Sequence, residues 1–108
     1  VHTEQILTEL TELTATNRRG VEALFQAEEE LAHAENELDA VEARSLLAAE
    51  GSVAERQAQA KLAAAELRLA RDLARAQVNR IKTKLRVIES EIVAQSTMAK
   101  LLAAESRL

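Results

Sequence analysis

The sequence predicts an all-α protein, a long antiparallel two-helix coiled-coil hairpin that dimerises into a four-helix bundle. Three observations lead there: a composition typical of long helices, apolar residues at an unbroken heptad spacing, and a single stop-and-start signal near the middle of the chain. In 108 residues there is no Pro, Cys, Trp or Tyr, and Phe25 is the only aromatic. A globular core draws much of its buried area from aromatic side chains. Here it must come from Leu, Ile, Val and Ala, which suits thin layers of paired helices within one domain.

The first helix is expected over about residues 3–49. Alternating steps of four and three from Ile6 reach Leu10, Leu13, Asn17, Gly20, Leu24, Ala27, Leu31, Ala34, Leu38, Val41, Ser45 and Ala48 without a slip of phase. That is a coiled-coil seam. Leu recurs on one set of positions (10, 24, 31, 38), and small residues on the other (Gly20, Ala27, Ala34), which lets two helix axes approach closely. The stretch Thr14–Gly20 is the weak point, since an interior Gly costs about 1 kcal/mol relative to Ala. The continuous heptad favours an unbroken helix.

The turn is expected at residues 50–52. Gly51 can take the left-handed conformation that ends a helix, and Ser52-Val53-Ala54-Glu55 has the spacing of a capping box at a helix start. A stop followed at once by a start makes antiparallel neighbours. The second helix is then expected as one piece over about 53–107. Its stripe reads Ala60, Ala63, Leu67, Ala70, Ala74, Val78, Ile81, Leu85, Ile88, Ile92, Gln95, Ala99 and Leu102, with two successive four-residue steps around Ala74. Each helix would span roughly 70–80 Å at 1.5 Å per residue.

Charge divides the halves. Residues 1–50 carry twelve acidic and three basic side chains, and residues 51–108 carry six acidic and eleven basic. An acidic helix folded on a basic one sets partner and orientation more than it adds stability.

Apolar residues in excess of one seam point to a further partner. Leu62, Leu69, Leu73 and Ala76 form a second stripe on the second helix, and Phe25, Leu46 and Leu47 lie off the first seam. Folding about Gly51 leaves Val93, Met98, Leu101 and Leu102 beyond the N-terminus. A helix with a wide stripe touches two neighbours. The expected interface is therefore Leu62, Leu69, Leu73, Val93, Met98, Leu101 and Leu102, and the expected partner a second copy of the chain.

Other constellations have plainer readings beside them. Glu30 and His33 have the Glu-x-x-His spacing of di-iron bundles, with Glu66 or Asp72 as a further carboxylate. The phase turns His33 outward, so a solvated charged face is expected, and no metal or cofactor. Arg18, Arg19, Arg80, Lys82, Lys84 and Arg86 fall at similar heights in the hairpin, with Arg75 nearer the turn. They make a nucleic-acid-associated accessory protein, contacting phosphates through a basic band on the second helix, the alternative function, against plain complementarity to the acidic helix. Asn17 on the seam would penalise slipped alignments. His2 and His33 lie far apart, and no phosphate loop or nucleophile–base pair is evident, so no enzyme is expected. No apolar run reaches membrane-spanning length and no basic-then-apolar leader opens the chain, so the expected setting is cytoplasmic, without membrane partners.

Two resemblances bear on context. A hairpin of this length with Ala49-Glu50-Gly51 at its midpoint is similar in geometry to the small secreted hairpins of the WXG100 family. The Trp of their Trp-x-Gly turn and their tyrosine-containing C-terminal signal are both missing, so membership is rejected. The stretch Ser52-Val53-Ala54-Glu55-Arg56-Gln57-Ala58-Gln59-Ala60 and the run from Leu67 to Ala76 resemble small Ala/Arg/Glu-rich helical accessory proteins of actinobacterial phages. That resemblance covers about half of the chain. It implies a phage accessory protein acting on a host or phage macromolecule, and it carries no chemical motif.

Overall fold

The computed structural model describes residues 2–107, and the described residues are almost wholly helical. Helix α1 runs His2–Ala48, α2 Val53–Ala63 and α3 Ala65–Ser106. By contact the chain divides into two units. A turn unit comprises Phe25–Asn79, and a terminal unit comprises the described residues of Val1–Leu24 and Arg80–Leu108.

Helix α1 does not break at Thr14–Gly20. Thr8, Thr11, Thr14 and Thr16 each donate a hydroxyl hydrogen bond to the carbonyl four residues earlier, at 2.8–2.9 Å. Residues that would otherwise compete with the helical ladder are thereby satisfied within it. The seam read from the sequence is the inward face: Ile6, Leu10, Leu13, Asn17, Gly20, Leu24 and their successors are buried or half-buried as far as Ser45. At its end the face moves by one residue, with Ala49 half-buried and Ala48 exposed.

The connection forms where expected. Gly51 has φ 110°, a left-handed conformation that a Cβ would strain. The Ser52 hydroxyl oxygen caps α2 by accepting from the Glu55 N–H at 3.2 Å, and the same hydroxyl lies 3.2 Å from a Glu55 carboxylate oxygen that accepts its proton. Gln59 Nε2 donates to the Glu50 carbonyl at 3.2 Å, tying the turn to the first coils of α2.

The second half differs from the expected single helix. Ala64, with φ −98° and ψ 6°, separates α2 from α3. Hydrogen bonding carries across it: its N–H donates to Ala60 at 3.1 Å and its carbonyl accepts from Arg68 N–H at 2.9 Å. The inward residues are Arg56, Ala60, Ala64, Leu67, Arg71, Ala74 and Val78, then Ile81, Leu85, Ile88, Ile92, Gln95, Ala99 and Leu102. The paired four-residue steps therefore fall at Arg56–Ala60–Ala64, not around Ala74, and the heptad is regular from Ala64 onward. Two such steps carry the inward face around the helix faster than a supercoil follows, and the departure at Ala64 sits at the second of them. Ala63 and Ala70, expected on the seam, are exposed.

Each unit has a thin core. In the turn unit Ala27, Leu38, Ala60, Ala64 and Val78 are buried; in the terminal unit Leu85 and Ile88 are. The helices run antiparallel within each unit. In the turn unit Arg68 reaches Glu42 and Arg75 reaches Glu35. In the terminal unit Leu85 fills the space that Gly20 leaves, so closely that a Cβ on Gly20 would lie 2.5 Å from Leu85 Cδ2.

Candidate interaction surfaces

The seam fixes where every other side chain on α2 and α3 points. A residue midway between two successive inward positions must lie on the opposite side of the helix. Leu62 sits between Ala60 and Ala64, Leu69 between Leu67 and Arg71, and Leu73 between Arg71 and Ala74. They are 80%, 59% and 63% exposed. Ala76, Val87, Ala94 and Leu101 satisfy the same rule and are exposed too. The outer face thus bears an apolar stripe with few partners of its own. Val87 escaped the sequence reading because it stands alone between Arg86 and Ile88. Its spacing of two heptads from Leu73 was the available signal.

The other expected interface residues divide. Val93 and Met98 are more than half exposed and flank the outer stripe on opposite sides. Leu102 is half-buried and, with Met98, lines an open groove that also includes His2, Gln5 and Ile6. Leu102 therefore belongs to the inward seam and has a partner helix, contrary to the overhang expected from folding about Gly51. The antiparallel alignment places it beside the first turns of α1.

The expected basic band is not one face. On α3, Arg80 and Lys84 are one turn apart along one flank, while Lys82 and Arg86 are one turn apart along the other. Arg19 bonds Thr16 Oγ1 at 3.2 Å on its own helix, and Arg18 is exposed. Arg75 belongs to the turn unit and pairs with Glu35 at 3.5 Å. Arg68, which the sequence reading did not single out, makes the shorter contact, 2.9 Å to Glu42, with both side chains about two-thirds buried. Its inward neighbour Arg71 turns its head onto Asp72 at 2.9 Å, which is how a charged residue occupies a seam position.

Among the described residues two side-chain polar atoms are enclosed without a partner. Asn17 Oδ1 on the seam of the terminal unit and Arg56 Nε in the turn unit are buried, with no hydrogen-bond partner among the described residues. His33 points to solvent and meets Glu29 at 3.8 Å, not Glu30. Among the described residues no group of three or more His, Cys, Asp or Glu side chains is placed to hold a metal ion. No helix there is long and apolar enough to cross a membrane.

Fold and surfaces together define an all-α protein of paired long helices, with open grooves and an exposed apolar stripe. In comparisons with protein-family models, curated proteins and solved structures, none matches this chain.

Proposed function

We propose that this chain is a non-enzymatic coiled-coil module that acts by self-association, two copies forming a four-helix assembly joined through their second-half helices, whose remaining surface binds a protein partner. The outer stripe of α2 and α3 carries the reading. Leu62, Leu69 and Leu73 are well over half exposed, and burying such a side chain is worth roughly 1.5–3 kcal/mol. Contiguous exposed apolar surface rimmed by polar residues marks an interaction site. The separation of Arg80 and Lys84 from Lys82 and Arg86 gives a phosphate backbone no continuous track, so the nucleic-acid alternative draws less support.

Light scattering over a range of concentration and salt tests the proposal. A mass of twice 11.8 kDa that persists on dilution is expected. A concentration-independent monomer would refute self-association and leave the stripe to a foreign partner.

A further inference from the structure

We infer that α2 is a hinged flap that opens away from α1 as a unit, between Gly51 and Ala64, while the rest of the turn unit stays closed. The two ends of α2 supply the pivots. Gly51 holds a left-handed φ of 110°, and Ala64 leaves helical geometry at φ −98° and ψ 6°. The 11 residues of the helix between them fall short of the roughly 12–15 that an isolated helix needs to persist in water. Helix α1 runs from His2 to Ala48 without such a departure, so α2 is the element placed to move.

Little holds α2 against α1. Ala60 is its one buried residue, while Val53 and Leu62 are largely exposed. Its side-chain hydrogen bonds are local, Ser52 with Glu55 and Gln59 with the Glu50 carbonyl. At its far end Arg68 reaches the Lys61 carbonyl at 3.5 Å. Among the described residues no hydrogen bond or ion pair joins α2 to α1. Helix α3, in contrast, reaches α1 through Arg68–Glu42 and Arg75–Glu35. The packing of α2 is open as well. A groove separates Asp39, Ala43 and Leu46 of α1 from Gln57 and Lys61 of α2 on either side of Ala60. Arg56, the inward residue of the first turn, adds a cost to the closed state, because its Nε is enclosed with no hydrogen-bond partner. Opening returns that N–H to water.

Native-state amide exchange reads the flap directly. Amides of residues 57–63 should exchange at least ~tenfold faster than those of 67–78 and of the facing α1 residues 39–45, with a step at Ala64. Trypsin gives an independent reading, since cleavage needs a locally opened backbone. Its first cuts should fall after Arg56 and Lys61, ahead of Arg44 and Arg71. Arg56→Met removes the enclosed N–H and keeps an unbranched side chain. It should slow exchange across 57–63 roughly tenfold and leave 67–78 unchanged. Equal protection on both sides of Ala64 would overturn the inference, because α2 would then open only with the rest of its unit. Exchange at 39–45 as fast as at 57–63 would overturn it in favour of a tip that frays on both helices. Slowing of both segments by Arg56→Met, or of neither, would overturn it too, as would first tryptic cuts at Arg44 or Arg71. Each comparison lies within one molecule, so the outcome is separate from the self-association tested above.

Discussion

The turn unit and the terminal unit share the same two runs of heptads but are held together by different means. In the turn unit, α3 reaches α1 through Arg68–Glu42 and Arg75–Glu35, the connection is capped by Ser52, and the buried residues are mostly alanines. In the terminal unit the tightest feature is steric, Leu85 seated in the notch of Gly20, and Asn17 lies one helical turn away with its amide oxygen unsatisfied. Ion pairs at partly exposed positions contribute little and yield to salt. Shape complementarity contributes more and is indifferent to salt. The turn unit thus shows cross-helix charge pairs and a capped turn, and the terminal unit a side chain seated in a notch.

That contrast can be broken at its strongest point. Leu85→Ala should cost about 2–5 kcal/mol, toward the upper end, because Gly20 has no side chain to move into the void. Urea unfolding of the variant measures it. Gly20→Ala places a methyl group where Leu85 now sits, so the single variant should destabilise despite the better helix propensity of alanine. Combined with Leu85→Ala it should recover part of the loss. An additive double-mutant cycle would show that notch and side chain do not act together.

Asn17→Leu sharpens the comparison from the other direction. Removing an amide whose buried oxygen has no hydrogen-bond partner should raise the urea midpoint by the equivalent of about 1–3 kcal/mol, while relaxing the penalty on slipped alignments. Broader amide exchange in the terminal unit despite the higher midpoint would be the signature. In the turn unit, Ser52→Ala should cost about 1 kcal/mol through loss of the cap, seen as faster exchange of the first amides of α2. Glu42→Gln should have the smallest effect, under about 1 kcal/mol, and should lose even that at 1 M salt. A salt-independent loss would mean that Glu42 acts by packing.

The inward face of α1 was legible in the sequence because Leu and Val stand where the heptad needs them and strongly polar residues fill most other places. The second half was harder for a specific reason. Ala60, Ala63, Ala64 and Ala65 are equally plausible inside or outside a helix pair, and Ala70 looked a better seam residue than Arg71. Only Leu67 and Val78 constrain the phase there, and two positions do not locate a shift of step. Arg71 could occupy the seam because its charged head finds Asp72 next door, a pairing that apolar spacing does not reveal. The surface was readable where leucines were regularly spaced, as at Leu62, Leu69 and Leu73, and unreadable at Val87. Height along the hairpin groups the basic residues of α3 but ignores angle, and angle is what divides them.

Gly20 has a consequence for how the chain finds its alignment. A heptad seam looks the same every seven residues, so two such helices resemble a pair of combs that mesh at many offsets with nearly equal satisfaction. A single missing tooth removes that degeneracy. Slid by one repeat, Leu85 would press on Leu13 or Ala27, and the gap at Gly20 would face Val78 or Ile92 instead. One absent side chain, at the cost of some helix propensity, gives an otherwise repetitive seam an address.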